Sequence, residues 1–479
     1  MKAYKKINSA AGHCCSSDSR KNKNLFTKNP VKLCCLLFLI SFPVFAQQDI
    51  EASRMDTIRY GTDSEITALI QSLRTENTDY LDNELIKIVQ ASRNQGVLTG
   101  VFAFFGEREK SGLEDRAIKA ITERQNETNE TVLSAMDYLG RVKSGDAVSI
   151  IMEVLETEER RFLSTGFRAI GRASSANKEL ADDTADFLVD FYTYREPGND
   201  NQSVIISAIG DTGSSIGVPF LVDLVTNTDE RIPLRVAALG ALSRIGDDEG
   251  LEAILSCIGT NDPNVRSAAV AALGPFTGDN VDSAILEAFR DSYYRARIAA
   301  AQASRDRKLE AAVPFLRYRA ERDDVPNVKD EAIRALGAIA NKEAVEVLEI
   351  LFYERKNSDR VRILAGDMLM KNSPEGNFLK AIIELDEAKK KNQTPLYNGI
   401  LKIIGETVTK SETADAENLA RRFMQSGTPV EKMYGLDLAA NNNLGALREE
   451  IITLTKERNE SIKRRAVRTA EKLGIELSE

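Results

Sequence analysis

A position that recurs at intervals of 31–39 residues constrains this 479-residue chain more than any other feature. It is easiest to see in NDPNVRSAAVAALGPFTGD, residues 261–279. Asp262 is a suitable helix N-cap, and Pro263 suits the first helical turn. Val265, Ala268, Ala269, Ala272, Leu273 and Phe276 follow at i, i+3, i+4, i+7, i+8 and i+11, a single apolar stripe of helical period. The alanines let a neighbouring helix come close, and Gly274-Pro275 reads as the stop. One short helix cannot bury so narrow a face alone. A chain made of such units has to stack them.

Taking Arg266 as a register mark, equivalent positions fall at Leu98, Val132, Leu163, Gln202, Arg235, Arg266, Arg297, Lys329, Arg362, Tyr397, Glu431 and Lys463. Two further columns keep the same phase. Seven residues after the mark, ten of the twelve residues are large and apolar, from Phe105 to Leu438. One residue later, seven of the twelve are glycine: Gly106, Gly140, Gly171, Gly210, Gly274, Gly337 and Gly405. These glycines are predicted to end the marked helices. Between the marked helices (helix B) runs a second helical pattern (helix A), as in GVPFLVDLVTN from Gly217 and AVEVLEILFYER from Ala344. The tetrapeptide VPFL occurs twice, at 218–221 and 313–316, three repeats apart. Tyr194–Gln202, inside the 39-residue interval, reads as an enlarged turn.

The N-terminus reads as a targeting segment. Lys28 and Lys32 precede a fourteen-residue apolar run, Leu33–Ala46, too short to cross a bilayer and ending in Val44-Phe45-Ala46. Cleavage after Ala46 is expected, which makes the protein exported, to the periplasm or cell envelope of a bacterium. Residues 1–46 hold eight of the 64 Lys/Arg and one of the 73 Asp/Glu, so the remainder carries 56 basic and 72 acidic residues, a formal net charge of −16. An acidic chain of this kind is a poor fit to nucleic acid or to an anionic membrane. The expected organisation is a signal segment over 1–46, an N-terminal cap helix over 47–78 and the repeat array over 79–479.

The same cleavage removes the sole histidine, His13, and four of the five cysteines, leaving Cys257. Without these side chains the chain cannot build a His-ligated metal or haem site, a cysteine cluster or a Ser-His-Asp triad. No catalytic, cofactor-binding or metal-binding residue is assigned, and no cofactor is expected.

DPNVRSAAVAALG resembles the HEAT repeat, in particular the HEAT-like class also found in phycobilin-attaching lyases, whose pattern is roughly D-x-x-V-R-x-x-A-A-x-A-L-G. Asp262, Val265, Arg266, Ala269, Ala272, Leu273 and Gly274 match it, and NVKDEAIRALGAIA at 327–340 is the next copy. Pro219 and Pro314 sit where HEAT repeats often carry a proline in helix A. The resemblance covers residues 79–476 and implies an all-α fold, a right-handed superhelical solenoid of about twelve HEAT-like hairpins with helix B lining the concave surface.

Five successive marks are basic: Arg235, Arg266, Arg297, Lys329 and Arg362. Acids precede them by three to six residues, at Asp229, Asp262, Asp291, Asp324 and Asp359. Either the cations form a stripe for an acidic partner, or each is braced by the Asp of its own turn or the next. The resemblance and the matched acids favour the brace. FAFFGE at 102–107 reads as core or docking patch, GDTGSSIGVP at 210–219 as an inter-helix turn, and Cys257 as a buried small residue.

The expected function is a non-catalytic scaffold that holds protein or peptide partners on the concave face. An alternative borrowed from the resemblance is a lyase-like or chaperone protein holding a small apolar molecule. It needs a pocket with Tyr or clustered carboxylates. A third reading is a structural protein of the cell envelope.

Overall fold

The computed structural model describes residues 42–477 except 77 and 196, with backbone alone over 42–49. Nearly all of the expected signal segment therefore lies outside the described residues. The described residues form 26 α-helices, with five short 3-10 turns and no strand. They divide into two compact units, one ending at Ala91 and one running from Ser92 to the C-terminus.

The first unit contains helices Phe42–Tyr60, Asp63–Leu73 and Asp82–Ala91. The expected cleavage point after Ala46 falls inside the first of them. Thr62 and Glu65 form a reciprocal capping box that fixes the start of the second. Arg54 clamps Glu76, and Arg59 reaches Glu84, tying the first helix to the third and to the segment leading into it. Helix Asp82–Ala91, expected to open the array, belongs to this unit.

The second unit is the array. Its twelve B helices are Gln95–Glu107, Asn129–Arg141, Arg160–Ser174, Asn199–Thr212, Ile232–Ile245, Pro263–Ala272, Tyr294–Asp306, Pro326–Ile339, Asp359–Asn372, Thr394–Glu406, Pro429–Asn441 and Glu460–Lys472. Each contains one of the twelve register marks. The position seven residues after the mark is buried in all twelve, including the two exceptions, Ser304 and Ala470. Eleven A helices alternate with them. Every A helix packs on the B helix that follows it, and every B helix packs on the next B helix in an unbroken series. The A helices pack on one another less closely and less regularly. The array is an all-α solenoid whose core is the seam between the two layers.

The glycine column corrects the expectation built on it. Gly106, Gly140, Gly171, Gly210, Gly337 and Gly405 lie inside their helices, and Gly274 alone follows its helix. The six interior glycines mark where one B helix crosses the next. A β-carbon on Gly171 would lie 2.6 Å from the Ala208 carbonyl oxygen, and one on Gly210 would lie 2.6 Å from Ala241 Cα. Only a residue without Cβ permits that approach. The true exit comes three residues later. There Glu109, Lys143, Gly213, Gly246, Lys308, Ala340 and Gly474 adopt left-handed φ values between 50° and 76°.

The 39-residue interval is also spent differently from the expected enlarged turn. The preceding A helix, Lys178–Tyr194, has 17 residues, and helix B resumes at Asn199. The extra length makes helix, because the apolar period of Ala181, Ala185, Leu188 and Phe191 continues to its end.

Candidate functional site

The five basic marks share one role in the geometry. Each donates to main-chain carbonyls in the last turn of the A helix of its own repeat or in the loop that follows it. Arg235 Nε and Nη2 reach Val225 O at 3.1 and 2.8 Å. Arg266 Nη1 reaches the Thr260 and Asn261 carbonyls at 3.0 and 2.9 Å. Arg297 Nη1 reaches those of Asp291 and Ser292 at 3.0 Å each. Lys329 Nζ reaches Glu321 O at 3.0 Å, and Arg362 Nε reaches Phe352 O at 2.8 Å. A helix ends with carbonyls that have no partner of their own and a partial negative charge, which Arg235, Lys329 and Arg362 satisfy, while Arg266 and Arg297 satisfy carbonyls of the loop beyond.

Three of the cations also cross to the next repeat. Arg266 Nε and Nη2 grip Asp291 at 2.8 and 3.0 Å. Arg297 grips Asp323 through two bonds of 2.8 Å and touches Asp324 at 3.3 Å. Arg362 Nη2 reaches Glu384 at 2.6 Å. Asp291 serves both rungs, because its carboxylate holds Arg266 while its carbonyl accepts from Arg297. The Arg266 guanidinium holds the Asp291 carboxyl below the usual range. Burial works against ionisation of Asp323, but the Arg297 guanidinium and the Val325 N–H outweigh it and hold its pKa down. Asp262 is the N-cap of its helix, as its position suggested. The sequence singles out Asp324, five residues before Lys329, but it is Asp323, six before it like Asp229 and Asp291 before their marks, that holds Arg297.

Beyond Arg362 the ladder changes sign. Tyr397 and Glu431 occupy successive marks and hydrogen-bond to each other, while Lys389 Nζ bonds Glu431 at 2.6 Å. Burial opposes the charge on Glu431, yet Lys389, Ser426 and Tyr397 bring its pKa down to about 2. Burial and the Glu431 carboxylate push the Tyr397 hydroxyl up.

Held by backbone in this way, the five cations do not form an open basic stripe: Arg235, Arg297 and Arg362 are buried. One accessible feature of the B layer is a groove between helices Ile232–Ile245 and Pro263–Ala272, with a cavity of about 800 Å³. Val236, Gly240, Ser267, Ala268 and Ala271 line its floor, and Arg244 and Arg295 stand at its edges. Arg244 is anchored by Asp211 at 2.9 Å and by Ser207 O at 3.0 Å. Small side chains at the mark's +1, +2 and +5 positions leave the groove open between the two helices. No Tyr, Asp or Glu lines this groove, unlike the pocket that the small-ligand reading calls for. The residues that form it were legible as alanines and serines, but their shared face depends on which helix neighbours which.

The other sequence candidates fall in the core or in turns. Phe102, Phe104 and Phe105 are buried, as are Phe191 and Cys257. Tyr194 is 77% exposed at the end of the long A helix. Gly213 and Ser215–Gly217 make the turn before Val218. Among the described residues no group of three or more His, Cys, Asp and Glu is placed to hold a metal ion. No described helix is long and apolar enough to cross a membrane.

Residues 58–469 match the family described as "Spirochaete HEAT repeat protein". No curated protein sequence matches the chain. Among solved structures, Kap121p shares the arrangement of helices with a TM-score of 0.45 and 11% identity, over 93% of this chain and 55% of that one. Yeast importin-beta (Kap95p) does so with a TM-score of 0.42 and 11% identity, over 94% of this chain and 74% of that one. The chain thus spans about half the length of the Kap121p structure.

Proposed function

The chain belongs to the spirochaete HEAT repeat family, and from that premise we propose that it is an exported, non-catalytic scaffold that holds a protein or peptide partner on the face of its B layer. In a curved stack the layer with the closer spacing lies on the inside, and the closer and more regular backbone packing of the B helices supports reading the B face as the concave one. The observation that carries the reading is the groove floored by Val236, Gly240, Ser267, Ala268 and Ala271. It offers a shallow track whose small side chains contribute shape and hydrogen bonding instead of acid–base or nucleophilic chemistry. We also assign the five basic marks to bracing the hairpins, which leaves recognition to the positions where repeats differ.

Site-specific photo-crosslinking in cells tests the binding face. A crosslinker at Ala271 or Ser267 is expected to give discrete protein adducts, and one at Glu346, exposed on an A helix, is expected to give none of them. Equal adducts from both positions, or none from the groove, would remove the B face as the partner site. Export is tested by the N-terminus of the mature protein. A periplasmic species beginning at Gln47 supports it, and an intact N-terminus in the cytoplasmic fraction refutes it.

A further inference from the structure

The two copies of Val-Pro-Phe-Leu open the A helices Val218–Thr226 and Val313–Arg322. At both copies the backbone of this helix stands off from the A helix before it, so side chains decide what fills the gap. The chain treats the two gaps differently. At the first copy the preceding helix has 17 residues, and its last turns carry Tyr192 edge-on to Phe220, with ring centroids 4.9 Å apart. At the second copy the preceding helix, Asp279–Ala288, has ten residues. About two turns are missing, and with them the ring that would close the cleft edge-on. Phe289 instead lies nearly parallel to Phe315, centroids 5.7 Å apart at 25°, and a cavity of about 410 Å³ stays open beside the pair.

Phe289, Arg290, Pro314, Phe315, Tyr318 and Arg319 line that cavity, four apolar or aromatic groups and two cations with no acid. The Arg290 guanidinium stands 5.6 Å from the Phe315 centroid, and that of Arg319 stands 5.2 Å from the Tyr318 centroid. Neither cation is saturated. Arg290 pairs only with the exposed Glu287, a weak surface contact. Arg319 makes a 3.3 Å bond to Asp323, whose two oxygens Arg297 already grips. Each guanidinium offers five donors. Tyr318 is 55% exposed, a large aromatic surface left facing water. In a chain with a formal net charge of −9, this pocket is locally basic.

We infer that this outer cleft is a second docking point, which takes an aromatic side chain flanked by carboxylates from a partner polypeptide. The ring enters where the missing helical turns leave space, against Phe315 and Tyr318. The neighbouring carboxylates meet Arg290 and Arg319, where charge-assisted bonds beside aromatic faces are strong for their size. The volume lies within the range of pockets that enclose a ligand group. The cleft is formed by A helices, so it stands or falls independently of the groove on the B layer.

The protein contains no tryptophan, so the emission of a tryptophan probe reports the probe alone. Titrating the full chain into acetyl-Glu-Trp-Asp-Glu-amide is expected to give a saturable blue shift. Arg290→Glu, on an exposed side chain, is expected to weaken binding about tenfold or more with unchanged circular dichroism. Tyr318→Ser is expected to weaken it as well. Acetyl-Lys-Trp-Lys-Lys-amide is expected not to saturate. Absence of a saturable shift overturns the proposal, and so does equal binding by Arg290→Glu or by the lysine probe. Displacement of the peptide by indole-3-acetate at lower concentration than the peptide's own would assign the cleft to a small molecule, which also overturns it.

Discussion

Arg297 donates from Nε and Nη2 to the two carboxylate oxygens of Asp323, each at 2.8 Å, across the junction between two repeats. The Asp323 side chain is fully shielded from solvent and that of Arg297 nearly so. Through Nη1 the same guanidinium ties down the loop after the preceding A helix, at the Asp291 and Ser292 carbonyls. One side chain therefore fixes both the hairpin angle within its repeat and the register to the next.

Removing this cation should be among the most damaging single changes in the array. Arg297→Met leaves the buried Asp323 carboxylate with only the 3.3 Å bond from Arg319 and the Val325 N–H, and is expected to cost about 3 kcal/mol. The double variant Arg297→Met with Asp323→Leu should recover most of the loss, since it removes the stranded charge too. Urea unfolding midpoints of the two variants check this. A mild effect of the single variant would refute the brace.

Acid should weaken the same junctions in a defined window. Asp291 and Asp323 both have folded pKa values held below the ordinary carboxylate value, and Glu431 is held at about 2 against 4.5. A depressed folded pKa stabilises above the unfolded pKa and ceases to do so as pH falls through the folded one. Melting temperature should hold down to about pH 4.5 and then fall steadily toward pH 2. Asp323→Asn should start lower and lose less across that range.

The interior glycines should resist substitution for a steric reason. Gly171→Ala places a methyl 2.6 Å from the Ala208 carbonyl oxygen and is expected to destabilise by about 1–3 kcal/mol. Gly427→Ala, with nothing within 4 Å, should be nearly neutral by the same thermal melt. Equal effects at the two sites would contradict close B–B crossing as the reason for the column.

The helix exits should respond in the opposite direction. Ala340 closes helix Pro326–Ile339 at φ 53°, a conformation that a Cβ disfavours. Ala340→Gly is expected to stabilise by roughly 0.5–1 kcal/mol, net of the greater freedom glycine has when unfolded. A lower urea midpoint in this variant would show that another contact governs the turn.

By itself, the sequence determined the period, the helical character of both layers and the core column. Those come from which residues are apolar at 3.6-residue spacing, and spacing along one helix needs no knowledge of its neighbours. It also marked the five cations as a set, because they recur in phase. What each cation holds was decided only in the tertiary structure. Asp323 lies 26 positions from Arg297, and only stacking brings that carboxylate to the guanidinium in preference to the acids nearer in sequence. The glycine column shows the same limit. A glycine after a large apolar residue has the sequence signature of a helix stop, yet the stop comes three residues later, at residues as unlike as Glu109, Lys143 and Ala340. A left-handed exit depends on where the next A helix must begin, and a close crossing depends on the partner backbone. Both are relations between elements, so neither is written at the position where it acts.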